Sequence, residues 1–139
     1  MTIIGFNFTS IKAERSNPIK GKIGVQNSVK IEDIKESDLI VGSNKNKTMI
    51  FEFIYTSKYS PNIGEITLKG SLVMMADPKK VVEVVTAWKS GKKEEKNLPK
   101  DVMAPVINTV LNKCSIMALQ MTREVNLPPQ IQLPKVKVN

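Results

Sequence analysis

Glu52 lies mid-strand between Phe51 and Phe53, and a carboxylate there could be a catalytic acid with a shifted pKa or, more often, a rim residue facing water or a lysine. General acid–base chemistry needs a second matched group, and the sequence brings none into view beside Glu52. The chain has no histidine, which removes the commonest general base, the usual metal ligand and the usual partner of a catalytic serine. Glu32, Asp33, Glu36 and Asp38 could gather round a hard cation, but Lys30 and Lys35 interleave with them. Their spacing lacks the regular ligands and the turn glycine of a calcium loop, so a solvated strand end is the plainer reading. The single cysteine, Cys114, allows no internal disulfide and no four-ligand zinc site. It falls on an apolar seam, where a thiol behaves as a small inert hydrophobe. The glycines, at positions 5, 21, 24, 42, 64, 70 and 91, do not form a phosphate-cradling loop between a strand and a helix. No catalytic residue, no metal site and no cofactor is expected.

Charge offers the other candidate chemistry. The net charge is +8, and Lys89, Lys92, Lys93, Lys96 and Lys100 crowd one stretch, as they would in a protein that contacts RNA or ribosomes. Against specific recognition, Arg15 and Arg123 are the only arginines, although arginine supplies the bidentate fork for bases and phosphates. The strand aromatics also lack the glycine-flanked pattern of stacking sheets. A solvated basic surface with nonspecific polyanion attraction is the reading that follows, and a basic accessory protein binding RNA or ribosomes is the alternative function.

These side chains must be positioned by a chain of 139 residues, 41% of them apolar, which suits one domain spanning 1–139 with a real core. Residues 1–15 lack the apolar run and small-residue cleavage site of a signal peptide, and no run reaches membrane-spanning length. A soluble, cytoplasmic protein is therefore expected.

Period-two alternation predicts four strands. The first covers Gly5 to Arg15, with Phe6 and Phe8 on one face, and stops at Asn17-Pro18. The second runs from Lys22 to Ile34 with a bulge at Asn27-Ser28, and an acidic turn from Glu36 to Asp38 follows. The third, Thr48 to Ser57, carries Met49, Phe51, Phe53 and Tyr55 on one face and Ile50 and Ile54 on the other. A turn at residues 60–64 makes it a hairpin with the fourth, Glu65 to Ala76. Asp77-Pro78 then caps a three-turn helix that ends at Ser90-Gly91. A second helical region starts near Leu98, with a break or kink expected just before Pro105. The fold class is α+β, a four-stranded antiparallel sheet followed by two helices.

That last helix has an apolar seam of Met103, Ile107, Val110, Cys114, Met117 and Met121, stepping by four and three residues alternately. Its burial would contribute on the order of 10 kcal/mol of gross apolar transfer, so it must face either the chain's own sheet or another subunit. We assign it to an oligomer interface. Two helices cannot cover both faces of a sheet whose third strand is apolar on nearly both sides, so surplus apolar surface is expected to serve subunit association or client binding. Of the two faces of the third strand, the aromatic one suits clients, because Phe and Tyr give large contact area at low entropic cost. The β-branched Ile50 and Ile54 suit a fixed core.

The order of strands and helices, with a long last helix running into Val125-Asn126-Leu127-Pro128-Pro129-Gln130-Ile131-Gln132-Leu133-Pro134, resembles the SecB-like chaperones. The opening Gly5-Phe6-Asn7-Phe8-Thr9-Ser10-Ile11-Lys12-Ala13-Glu14-Arg15 is similar to an archaeal set of such proteins. The resemblance implies a homo-oligomer, dimer or tetramer, that holds unfolded polypeptide clients in apolar grooves without hydrolysing ATP. Client-binding walls would come from Phe6, Phe8, Met49, Phe51, Phe53 and Tyr55 and from the tail residues Leu127, Ile131 and Leu133. Bacterial export SecB is acidic and docks on a basic tail of the SecA motor, whereas this chain carries +8. The departure favours a general holdase or an antitoxin-assisting role over protein transport by hand-over to SecA.

Overall fold

The computed structural model describes residues 1–37, 46–134 and 136. Four long strands, β1 (Thr2–Arg15), β2 (Gly24–Ser37), β3 (Lys47–Ser60) and β4 (Gly64–Ala76), are followed by helix α1 (Pro78–Ser90), a 3₁₀ turn (Glu95–Asn97) and helix α2 (Lys100–Glu124). All strand pairs are antiparallel and the sheet order is β1-β4-β3-β2, which leaves β1 and β2 as edges. The β3–β4 hairpin turns through Pro61, Asn62 and Ile63, with Asn62 in the left-handed region that asparagine tolerates.

The strands are a little longer than their alternation suggests. β2 runs on through Ser37, so Glu36 sits in a strand and not in a turn, while Asp38 lies outside the described residues. Its register shift falls between Ile31 and Asp33, not at Asn27-Ser28. An extra residue at Glu32 keeps both Ile31 and Ile34 facing the core, where each is buried.

Hairpin register decides which face of the sheet is buried. Phe51 pairs with Leu72 and Tyr55 with Leu68, so the larger apolar sets of both strands share one face with Ile31 and Ile34 of β2. The helices lie on that face, and Met49, Phe51, Phe53 and Tyr55 are at most 1% exposed. The sequence expectation for β3 is thereby reversed: the aromatic face is core, and Ile50 and Ile54 are half-buried on the opposite face. On β3 alone both faces carry large apolar side chains, although Glu52 and Thr56 interrupt the isoleucine face. Its neighbours decide the matter, because Glu65, Thr67, Lys69 and Ser71 of β4 share the face of Ile50 and Ile54.

Asp77 caps α1 by accepting the Lys79 N–H at 2.9 Å, and the helix buries Val81, Val84, Val85 and Trp88. α2 passes through Pro105 without ending there. Pro105 is exposed and sits in the second turn, where a proline costs one backbone hydrogen bond near the start of the helix.

The residues of α2 that reach the sheet are Val102, Val106, Val110, Cys114, Ala118 and Thr122, with Met103. Steps of four residues advance about 40° each, so the buried stripe winds round the helix as it crosses the twisted sheet. The predicted seam therefore splits. Met103, Val110 and Cys114 pack against the chain's own sheet and cannot form an oligomer interface, while Ile107, Met117 and Met121 are half-buried beside the stripe.

Burial pushes the Cys114 thiol from 9.0 up to about 12 and the Tyr59 hydroxyl from 10.0 up to about 12. Folding thus favours the protonated thiol. Its contribution to stability is complete below pH 9, the unfolded value, and is lost as pH rises toward the folded value of about 12. The midpoint of urea unfolding should fall as pH rises above 9, and Cys114→Ala should reduce that fall. An identical pH profile for the two proteins would contradict the burial argument.

Candidate functional site

The carboxylates singled out in the sequence are engaged in ion pairs and hydrogen bonds. The Glu52 carboxylate is an ion-pair partner, 3.1 Å from Lys35 Nζ, with its side chain 44% exposed. The acidic cluster is dispersed into separate contacts. Asp33 accepts Trp88 Nε1 at 3.2 Å, and Glu36 pairs with Lys47 at 2.7 Å. Among the described residues no group of three or more acidic or cysteine side chains could hold a metal.

The basic stretch is partly neutralised by its own fold. Glu95 accepts the Ile31 N–H and ties the 3₁₀ turn to β2, Lys96 pairs with Glu94 at 3.0 Å, and Lys93 lies 3.9 Å from Asp33. Lys89, Lys92 and Lys100 remain exposed.

A different surface gathers apolar side chains in the open. Phe6 and Phe8 of edge strand β1 face the helical side of the sheet, opposite Leu72 and Gly70. Gly70 has no side chain, and the three rings close over the gap. Phe6 stacks on Phe53 at 5.1 Å, and Phe8 stands edge-on to Phe6 at 5.1 Å and to Phe53 at 6.4 Å. α2 runs alongside and supplies the second wall. The resulting groove, about 380 Å³, is lined by Phe6, Phe8, Lys113, Ile116, Met117 and Gln120. Ile116, on the helical wall of that groove, is 57% exposed. Lys113 Nζ stands 5.5 Å from the centroid of the Phe6 ring, within cation–π range.

This chain has the fold of a solved chaperone. It is similar to the SecB-like chaperone Rv1957 of Mycobacterium tuberculosis, in complex with a ChAD peptide from the Rv1956 HigA1 antitoxin. The likeness has a TM-score of 0.56 at 8% sequence identity and covers 96% of this chain and 89% of that one. The fold is SecB-like. No family model and no curated protein sequence matches the chain.

Within this SecB-like frame the predicted client-binding residues divide into three groups. Phe6 and Phe8 line the groove. Phe53 is buried against the Phe6 ring and does not itself line the groove, and Met49, Phe51 and Tyr55 are buried under the helices. In the tail, Leu127 is only 6% exposed, whereas Ile131 and Leu133 are 41% and 44% exposed and do not line the groove. Leu127 is core because the tail is pinned across the end of the sheet. Tyr59 Oη donates to Pro128 O at 2.6 Å, Asn27 Nδ2 to Gln130 O at 2.9 Å, and Gln130 Nε2 to Ser115 O at 2.7 Å.

Of the seam residues, Met117 joins the groove. Sequence reasoning missed Lys113, Ile116 and Gln120. With Met117 they form the spacing 113, 116, 117, 120, one helical face adjacent to the buried stripe. Ile116, apolar yet off the seam, was the available signal.

Proposed function

We propose that this protein is an ATP-independent holdase of the SecB-like class, similar to the archaeal set, acting in the cytoplasm and binding extended segments of unfolded polypeptides in the groove between β1 and α2. The observation that carries the reading is the groove itself: an aromatic wall on an edge strand, an exposed isoleucine and an adaptable methionine on the facing helix. The fold supports it, since a protein sharing that fold is described in complex with a peptide from an antitoxin. General holding of clients, or assistance to an antitoxin, suits a +8 chain better than delivery to an export motor.

The working unit is proposed to be a homo-oligomer, a dimer or a tetramer. Both edge strands are 14 residues long, and among the described residues each has one ladder edge without a partner strand. On the outer face Ile50, Val73 and Met75 form a further half-buried apolar set.

The test is suppression of aggregation of a denatured model protein, with molar mass measured by light scattering in the same buffer. Activity should persist in moderate salt, because groove binding buries apolar surface, whereas binding of lysines to phosphate weakens steeply as salt rises. Ile116→Ser, at an exposed position, should weaken suppression severalfold, and Val82→Ser, equally exposed on α1, should leave it unchanged. Salt-sensitive binding of structured RNA without any suppression would replace the chaperone reading with that of a basic accessory protein.

A further inference from the structure

Resting on the chaperone reading, we infer that the β1–α2 groove selects extended segments in which an acidic side chain lies beside two or three apolar ones. Lys113 is the one charged residue among the described residues lining the groove. It makes no ion pair among the described residues, and its ammonium is held over the face of Phe6. The ring fixes the cation at the wall of an apolar trough while leaving its other side open to an incoming carboxylate. Among the described residues no acidic side chain lines the trough to compete for it, and the net charge of +8 disfavours basic segments at longer range.

Spacing sets the length of the recognised segment. Lys113 and Gln120 are seven positions apart on one helix, about 10.5 Å along its axis, a span of roughly three extended residues. Phe6, Phe8, Ile116 and Met117 between those two ends supply apolar contact and no polar partner. A segment of about three to four residues would therefore place its carboxylate at Lys113, its apolar side chains against the rings, and a backbone amide or carbonyl at Gln120.

Fluorescently labelled ten-residue peptides with a Leu-Phe-Val core, differing by Asp, Asn or Lys next to that core, test this by anisotropy with the full chain. The Asp peptide should bind about three- to fivefold more tightly than the Asn peptide, as an exposed ion pair allows, and the Lys peptide more weakly than both. Lys113→Glu should invert that order, and Lys113→Met should erase the difference while the Asn peptide still binds. If the Asp preference survives both substitutions, it arises from overall charge and the inference about Lys113 is overturned. Equal binding of all three peptides by the unaltered protein overturns it too, while leaving the holdase reading intact. Failure to bind any peptide together with failure to suppress aggregation removes the holdase reading itself.

Discussion

Phe51→Ser combined with Phe53→Ser is expected to leave the protein unfolded at room temperature, and Ile54→Ala is expected to be mild. Both phenylalanines are at most 1% exposed and belong to the layer between sheet and helices. Removing a buried ring costs about 3–5 kcal/mol, and each serine adds a hydroxyl with no designed partner in an apolar layer. Two such changes match or exceed the whole stability of an ordinary domain, about 5–15 kcal/mol. Ile54 projects from the opposite face, where it is half-buried among polar neighbours, so its truncation should cost about 1 kcal/mol, below the range for a fully buried site. Far-ultraviolet circular dichroism and urea unfolding of the two variants decide the point. A folded double-serine protein with an ordinary midpoint, beside a crippled Ile54→Ala, would place the core on the other face.

The element order and fold class were legible because period-two alternation and the Asp77-Pro78 cap are local signals, set by residues adjacent in the chain. Which face of β3 is buried was not legible, and the reason is physical. A strand that reads Met-Ile-Phe-Glu-Phe-Ile-Tyr offers apolar side chains both ways, and the choice is made by cross-strand partners. Leu68 and Leu72 stand beside the aromatic set, while Thr67, Lys69 and Ser71 stand beside the isoleucines. The helix seam failed for a similar reason. Alternating steps of three and four describe a straight contact between helices, whereas the contact with a twisted sheet follows Val106, Val110, Cys114 and Ala118 in steps of four.

The groove was half legible. Phe6 and Phe8 carried a signal in their alternation. Lys113 and Gln120 matter only because Phe6 comes to rest beneath them, which depends on pairing between residues more than a hundred positions apart. The tail shows the same dependence: its prolines announce an extended segment, but Tyr59 and Asn27, far away in sequence, are what hold it down.

Gly70→Ala is expected to be the most damaging glycine-to-alanine change among the described glycines. A Cβ at Gly70 would overlap the backbone carbonyl oxygen of Asn7 on β1 and lie 2.7 Å from Phe53 Cζ. Neither neighbour can give way cheaply. Asn7 is held in the β1–β4 ladder beside the register shift after Phe8, and the Phe53 ring is held by Phe6 and Phe8. Overpacking of this kind costs about 1–3 kcal/mol when side chains can adjust, and the cost should lie at or above the top of that range because a backbone atom is involved. The same substitution at Gly24, where an added Cβ meets nothing within 4 Å, should be neutral or stabilise by up to about 1 kcal/mol through the unfolded state. Since the Phe53 ring that meets Gly70 packs against Phe6 and Phe8 of the groove wall, Gly70→Ala should weaken client suppression even under conditions where the protein remains folded. Gly24→Ala should not. Unfolding midpoints and aggregation assays on the two variants test both statements, and equal midpoints would show that β1 does not sit against Gly70 as described.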